Sequence, residues 1–259
     1  MNAKLIIKNA ISKLGYQISR LPPDSVGPGS ELIELESEDI SLINYVLRKK
    51  LTMTGIASLV NTIKSCKYVV QNNIVGDFVE CGTWRGGHGI VAKKIFERLK
   101  SPKKVILFDT FTGMTKPSDA DFNIITKDIA ETKYKAKLRD AYTDWAYASL
   151  SDVKRNFEAA RLDLRGINFI EGDVCKTLLR ENNVPSAISV LRLDTDWYES
   201  TSIELKVLYP ILQKQGVLIV DDYGSWDGSR KAVDDYFSVQ SYKPLLNVVD
   251  RCVRSAIKC

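Results

Sequence analysis

The stretch IVGDFVECGTWRGGHGIVAKKIFERLK (74–100) decides the fold. It begins as an apolar strand, passes through a glycine-rich turn and continues as a helix. Further strands are predicted at 104–111, 167–173, 188–196 and 216–222, with helices between them. Strands separated by helices pair in parallel through right-handed crossovers, and their continuous apolar runs indicate burial on both faces. The sequence therefore predicts an α/β fold with a doubly wound, mostly parallel sheet.

A helical extension is predicted before this sheet. Apolar residues recur at helical spacing through 3–19, among lysines. Such a helix could pack on the domain or on a partner subunit, which favours a homo-oligomer, or lie on a membrane surface. Residues 20–31 are rich in Pro, Gly and Ser and indicate a linker. We divide the chain into an N-terminal helical extension with linker at 1–73 and a main domain at 74–259.

Two parts of the main domain depart from strand–helix alternation. Residues 113–148 are polar and too long for an ordinary connection, so a lid insertion is predicted there. The C-terminal stretch PLLNVVDRCVRSAIKC (244–259) contains two short β-type runs and predicts an antiparallel hairpin.

Composition excludes several classes of function. The chain has 259 residues, of which 44% are hydrophobic, and can bury one sizeable core. Its 37 basic and 32 acidic residues give a dispersed net charge of +5, which does not indicate a nucleic-acid partner. Five cysteines without a C-x-x-C pair suggest reduced thiols, and no apolar run reaches the roughly 20 residues of a transmembrane segment. We expect a cytoplasmic protein.

Four carboxylates follow two successive apolar strands. Asp194 and Asp196 lie in LRLDTDWYEST, and Asp221 and Asp222 lie in GVLIVDDYG. Unpaired carboxylates at buried strand ends repel each other and lose hydration. A divalent cation such as Mg²⁺ removes this cost, because hard cations prefer carboxylate oxygens. If the strands are neighbours, their ends lie about 5 Å apart and three carboxylates could share one ion.

The strand period also predicts which of these acids face each other. Asp194 and Asp196 point to the same side if their strand continues through both. Asp221 and Asp222 are adjacent, so both can face one ion only if the backbone turns there.

A second set of acids follows the first three strands. The glycine-rich turn after Glu80 lacks the G-x-G-x-x-G spacing of a dinucleotide site. Asp109 at the next strand end could accept ribose hydroxyls, and Asp173 at the third could accept an adenine amino group. S-adenosylmethionine carries an amino group, a ribose and an exocyclic amine, and it needs no phosphate loop.

Five segments together resemble the macrocin O-methyltransferase family, the TylF-like sugar O-methyltransferases. They are, in order, GDFVECGTWRGG, LFDTFTGM, INFIEGD, LRLDTDWYEST and VLIVDDYGSWDGSRKAVDDYF, and the resemblance as a whole extends from about Met53 to Phe237. The resemblance implies a Rossmann-like methyltransferase fold, dependence on S-adenosylmethionine and a metal, and a hydroxyl acceptor on a sugar or a sugar-bearing metabolite.

The resemblance also implies roles for individual residues on the cofactor side. Glu80 would bind the amino acid end of the cofactor beside Gly82 of the glycine turn. Asp109 would bind the ribose, and Asp173 would lie near adenine. Thr54 would be a helical residue that reaches the cofactor.

On the acceptor side, the resemblance assigns Asp194, Asp221 and Asp222 to the metal and Asp196 to the general base. A metal-bound hydroxyl is acidified, and a nearby carboxylate can take its proton. The single histidine, His88, is a rival base, although its place in the glycine turn favours a polar turn residue.

Several alternatives remain open from the sequence. Asp-Thr-Asp also fits the D-x-D motif of a metal-dependent glycosyltransferase, and the chain could be a non-catalytic cofactor-binding protein. Within the methyltransferase interpretation, the acceptor could be a catechol or small phenol. The aromatic residues near the acids could stack on a sugar or simply pack; they are Trp197, Tyr198, Tyr223 and Trp226.

Overall fold

The computed structural model describes residues 34–259. The predicted helix at 3–19 and the linker at 20–31 lie outside the described residues. The chain divides into two compact units between Lys49 and Lys50. In the first unit, α1 (Ser37–Arg48) begins with a capping box in which the Glu36 side chain and backbone pair with Asp39.

The second unit contains a seven-stranded sheet, which confirms the predicted fold class. Its strands run in the order β3-β2-β1-β4-β5-β7-β6. The first five are parallel, and β7 pairs antiparallel with both β5 and β6, as the C-terminal hairpin prediction required. The strands are β1 (Asp77–Cys81), β2 (Val105–Asp109), β3 (Ile167–Glu171), β4 (Ile188–Leu193), β5 (Leu212–Val220), β6 (Asn247–Val248) and β7 (Arg254–Ile257).

Helices precede, connect and follow the parallel strands. They are α2 (Ile56–Gln71), α3 (Gly87–Arg98), α4 (Ala130–Lys137), α5 (Leu150–Ala159), α6 (Val174–Thr177), α7 (Tyr198–Leu208) and α8 (Asp227–Ser238). The chain builds outward from β1 to β3, then crosses back to place β4 on the other side of β1. Strand order therefore reverses between β1 and β4, and ligands of such sheets bind at the carboxyl ends of the strands there.

Alternation along the central strands sorts side chains between the two faces of the sheet. Val79, Cys81, Leu191 and Leu193 belong to the buried cluster that also contains apolar residues of α7 and α8. The intervening residues point the other way. Two of these, Glu80 and Arg192, are register partners on β1 and β4.

The strands predicted at 104–111, 167–173, 188–196 and 216–222 each end two or three residues earlier than predicted. The difference that concerns the site is in β4, which ends at Leu193 rather than Asp196. Asp194 still donates its N–H to the Cys81 carbonyl at 2.8 Å, but β1 ends at Cys81. Asp196 then adopts a left-handed backbone with φ 66°. The condition for the strand-period argument is therefore not met, and Asp194 and Asp196 reach the cleft from the loop after β4 instead.

Within residues 34–259, no helix combines the length and the apolar character that crossing a membrane requires.

Candidate active site

A cleft of about 390 Å³ opens at the carboxyl ends of the central strands. This volume falls within the range of roughly 300–1,000 Å³ typical of small-molecule sites. The structure brings together at this cleft every residue that the sequence singled out for the site. They are Thr54, Glu80, Gly82, Asp109, Asp173, Asp194, Asp196, Asp221 and Asp222.

Three carboxylates form a compact cluster on one side of the cleft. Each of Asp194, Asp221 and Asp222 offers an oxygen, and these oxygens lie within 4.8 Å of one another. Leu193 and Val220, the last residues of β4 and β5, are register partners, so the acids that follow them meet. Burial raises the pKa of Asp221 and of Asp222 well above the usual range.

The cluster fits a hard divalent cation. Asp222 Oδ2 is buried and has no hydrogen-bond partner in the described structure. A buried oxygen without a donor is costly, and a cation bound at this position would satisfy it.

Asp196 is half-buried beside this cluster in a strained conformation. A left-handed backbone at a non-glycine residue costs about 1–2 kcal/mol. Burial raises the pKa of Asp196 to about 6, and the neighbouring Asp222 carboxyl partly offsets this rise. The side chain is thus held close to the cluster with its pKa near neutrality, which suits a proton acceptor.

Arg192 is the main residue that sequence reasoning missed. Its side chain is fully buried. The guanidinium contacts Glu80 Oε1 at 3.0 Å and one oxygen each of Asp194 and Asp221 at 2.5 Å. The available signal was an arginine inside an otherwise apolar buried strand, because a buried guanidinium requires acids around it.

Each carboxylate oxygen of Glu80 accepts one hydrogen bond from a neighbouring side chain, which leaves acceptor positions for a ligand. Besides the bond from Arg192, its Oε2 accepts the Thr83 hydroxyl at 2.9 Å. Burial, opposed by Arg192, raises the pKa of Glu80 to about 7.

Asp109 organises the glycine-rich turn. Its carboxylate accepts the N–H groups of Thr83 and Trp84 at 2.8 Å and of Phe111 at 2.7 Å. A carboxylate has about four acceptor positions, so about one remains for a ligand. Burial raises its pKa.

Gly82 and Asp173 each have a role in the backbone structure of the site. Gly82 has φ 81°, and a Cβ there would lie 1.8 Å from the Asp194 carbonyl oxygen. Asp173 caps the short helix α6 by accepting the Cys175 N–H at 2.9 Å.

Thr54 lines the cleft but is not helical. Gly55 is the N-cap of α2, so the helix begins at Ile56 and Thr54 lies in the bend before it. The prediction of a helical residue is wrong, because Gly55 has an extended backbone and the helix begins only after it.

His88 is buried and bridges two threonines. Its Nδ1 lies 2.8 Å from Thr62 Oγ1 and its Nε2 lies 2.9 Å from Thr54 Oγ1. Burial lowers its pKa well below the usual value. These contacts tie α2 and the bend before it to the start of α3, which agrees with a structural role.

We expect His88 to reduce stability in mild acid. The unfolded chain takes up a proton near pH 6.5 that the folded chain excludes, so stability falls below that pH by at most about 1.4 kcal/mol per pH unit. Urea unfolding between pH 7.5 and 5.5 measures the free energy of unfolding of wild type and of His88→Gln. The stability advantage of wild type over the variant should decrease as the pH falls. The raised pKa values of buried carboxyl groups increase stability as the pH falls, but they do so equally in wild type and in His88→Gln. An NMR signal of this histidine that titrates near pH 6.5 in the folded protein would contradict the expectation.

The insertion at 113–148 is anchored to the acid site by Asp121. This carboxylate is fully buried. It accepts the Ser118 N–H and hydroxyl at 2.7 Å and the Tyr198 N–H at 2.9 Å. Asp121 therefore caps α7 two residues after Asp196, a role with no local sequence signal.

Three indoles also join the insertion to the acid segments. Trp145 of the insertion packs at 5.4 Å from Trp197 and 5.8 Å from Trp226, and Trp197 lies 5.1 Å from Trp226 between ring centroids. Lys133 Nζ lies 4.0 Å above the Trp145 ring. Trp145, Trp226 and Lys133 line the cleft.

The two tyrosines near the acids do not line the cleft. Tyr198 and Tyr223 donate their hydroxyls to Asp235 and Asp234 of α8, at 3.0 and 2.9 Å. Both tyrosines pack against α8. Of the four aromatic residues that the sequence indicated, only Trp226 lines the cleft, and its stacking on a sugar stays a hypothesis.

Glu204 is a second buried acid that sequence reasoning missed. It lies on α7 and accepts the Thr195 hydroxyl at 2.9 Å. Burial raises its pKa well above normal. It supports the Asp194-Thr195-Asp196 segment from beneath.

Comparison with known proteins assigns the class. Residues 46–254 match the family described as Macrocin-O-methyltransferase (TylF). The chain belongs to this family of O-methyltransferases, and the assignment sets aside the glycosyltransferase interpretation of the D-x-D motif.

Two characterised relatives carry sugar-linked or antibiotic-linked names. An 8-demethyl-8-(2,3-dimethoxy-alpha-L-rhamnosyl)-tetracenomycin-C 4'-O-methyltransferase of Streptomyces olivaceus is 32% identical over 187 residues, covering 71% of this chain and 67% of the relative. The demethyldecarbamoylnovobiocin O-methyltransferase of Streptomyces niveus is 31% identical over 208 residues, covering 77% and 72%.

Solved structures agree with the fold. The O-methyltransferase NovP is similar at 30% identity with a TM-score of 0.68, covering 80% of this chain and 82% of NovP. An O-methyltransferase from Bacillus cereus in complex with SAH shares the fold at 14% identity and a TM-score of 0.52, covering 98% and 97%.

Proposed function

We propose that this protein transfers a methyl group from S-adenosylmethionine to a hydroxyl of a sugar or a glycosylated metabolite, with Mg²⁺ bound by Asp194, Asp221 and Asp222. The observation that carries the proposal is the single cleft that joins this acid cluster to Glu80, Asp109 and Asp173. The names of the relatives support a sugar-bearing acceptor, and the SAH complex of the Bacillus cereus enzyme supports the cofactor.

The proposed division of labour follows the two sides of the cleft. Glu80, Gly82, Asp109 and Asp173 would hold the cofactor, and Thr54 would border it. The remaining acceptor position of Asp109 suits one ribose hydroxyl. Since the sulfonium leaves as a neutral thioether, these residues need only align it with the acceptor.

On the acceptor side, Asp196 would act as general base. Mg²⁺, when bound by the three aspartates, would lower the pKa of the acceptor hydroxyl and help to fix its position. The hydroxyl gives its proton to the Asp196 carboxylate while its oxygen forms the bond to the methyl carbon. Trp145 and Trp226 offer apolar faces on which a sugar ring could stack, which also excludes water.

Calorimetry and a transfer assay test this function. S-Adenosylhomocysteine should bind the protein with one site per chain, and methyl transfer to a panel of glycosides and nucleotide sugars should fall at least tenfold when EDTA replaces Mg²⁺. Absence of cofactor binding would overturn the proposal. Transfer that EDTA leaves unchanged would remove the metal from it, and transfer to catechols alone would change the acceptor class.

A further inference from the structure

We infer that Arg192 is a positioning residue that couples the two halves of the cleft, so that binding of a divalent cation and binding of the cofactor favour each other. The inference rests on the proposed function and adds to it a link between two sites that the acids alone do not require.

The position of Arg192 makes it the shared neighbour of both halves. It lies on β4 beside β1, and its register partner on β1 is Glu80. Its Nη1 donates to Glu80 Oε1 at 3.0 Å and to Asp194 Oδ2 at 2.5 Å, and its Nη2 donates to Asp221 Oδ1 at 2.5 Å. One planar group therefore contacts a proposed cofactor ligand and two proposed metal ligands.

The carboxylates of Glu80, Asp194 and Asp221 compete for hydrogen bonds from one guanidinium group. An arginine side chain stays protonated in proteins, and this one has no exposed surface, so its acids supply its charge compensation. The Arg192 Nε has no hydrogen-bond partner in the described structure, so the terminal nitrogens make all of the contacts to the acids. Whatever draws Asp194 and Asp221 away from the guanidinium leaves Glu80 as its main partner.

A divalent cation would do this directly. It would bind carboxylate oxygens of Asp194 and Asp221. The hydrogen bonds of these two residues to the Arg192 guanidinium would then weaken. Glu80 would then be held more firmly between Arg192 and the Thr83 hydroxyl, which contacts it at 2.9 Å. A fixed carboxylate binds the amino acid end of the cofactor with less loss of conformational freedom.

The expected coupling is reciprocal. Mg²⁺ should tighten cofactor binding about fivefold or more, the lower end of ordinary coupling between two sites. By thermodynamic linkage, the cofactor should tighten metal binding by the same factor.

The test measures two dissociation constants in four proteins. S-Adenosylhomocysteine binding is titrated by calorimetry without and with saturating Mg²⁺, and Mn²⁺ binding is titrated by electron paramagnetic resonance without and with S-adenosylhomocysteine. The proteins are wild type, Arg192→Lys, Glu80→Gln and Thr83→Val. Lysine keeps the charge but cannot bridge three carboxylates, and Thr83→Val removes the other bond to Glu80 while leaving Arg192 untouched.

The coupling factor is the ratio of the S-adenosylhomocysteine dissociation constants without and with Mg²⁺. We expect this ratio to fall to about one in Arg192→Lys and in Glu80→Gln and to keep its wild-type value in Thr83→Val, whatever the absolute affinities. If Arg192→Lys does not fold, Glu80→Gln carries the test. Equal cofactor affinity with and without Mg²⁺ in wild type, with both ligands bound, would overturn the inference and leave the proposed function intact. Coupling that survives in Glu80→Gln would also overturn it. No cofactor binding under any condition would overturn both.

Discussion

Replacing Asp196 by asparagine is expected to lower kcat by about 10²–10⁴-fold, the usual contribution of a general base. Asparagine keeps the shape of the side chain but cannot take a proton. Because Asp196 is not among the residues proposed to hold the cofactor, we expect the dissociation constant of S-adenosylhomocysteine to change little. Single-turnover transfer and calorimetry measure the two quantities on the same preparation.

Asp140→Asn is the matched control, because Asp140 lies exposed in the insertion away from the acid cluster. The same chemical change there should leave kcat within twofold of wild type. A near-wild-type rate in Asp196→Asn would assign the base to another group, and a parallel loss of cofactor binding would indicate that the substitution disturbs the whole cleft.

Gly82→Ala is expected to lower the free energy of unfolding by about 3 kcal/mol or more. The left-handed backbone accounts for about 1–2 kcal/mol and overpacking for about 1–3 kcal/mol more. The overpacking arises because a Cβ at this position would lie 1.8 Å from the Asp194 carbonyl oxygen. Relief of that overlap must move the backbone of a proposed metal ligand, so Mn²⁺ affinity should fall as well. Urea unfolding and a Mn²⁺ titration measure both effects.

Gly166→Ala separates the two causes. Gly166 also has a positive φ, 75°, but a Cβ there would meet only Lys93 Nζ, at 3.7 Å. We expect a loss of about 1–2 kcal/mol from the backbone alone and no change in Mn²⁺ affinity. Equal losses in the two variants would show that the contact with Asp194 is easily relieved.

The fold was predictable because its signals are local and repeated. The continuous apolar runs of β2, β4 and β5 alternate with helices, and this pattern permits few arrangements other than a doubly wound sheet. Strand ends were less predictable. The prediction that β4 reaches Asp196 failed because both of its neighbours end at the register of Leu193, β1 at Cys81 and β5 at Val220, so no strand remains with which the next residues could pair.

The candidate site was predictable where side chains follow strand ends, since topology alone brings such positions together. Asp194, Asp221 and Asp222 form the cluster that the sequence indicated, although their roles stay proposals. Contacts between distant segments were not predictable. Asp121 reaches Tyr198 across 77 residues of sequence, and Arg192 reaches Glu80 across 112. The sequence around Asp121 and around Arg192 does not indicate which distant residue each of them contacts.

The boundary at residue 73 and a lid function for 113–148 stay predictions. Backbone hydrogen bonds nevertheless join residues 122–124 of the insertion to the segment after β5. Ile124 donates its N–H to the Ser225 carbonyl at 2.9 Å, and Asp227 donates its N–H to the Phe122 carbonyl at 3.0 Å. Any opening of this segment would have to pivot beyond these contacts or break them.

The placement of the tryptophans gives the protein a built-in optical reporter. The chain has four tryptophans. Trp84, Trp145 and Trp226 line the cleft, and Trp197 packs against two of them. Tryptophan emission therefore originates at or next to the cleft, where an adenine, a sugar or a paramagnetic ion would alter it by stacking, desolvation or quenching. Occupancy of either half can be followed on the unlabelled chain, with no chromophore attached to a surface that might take part in binding.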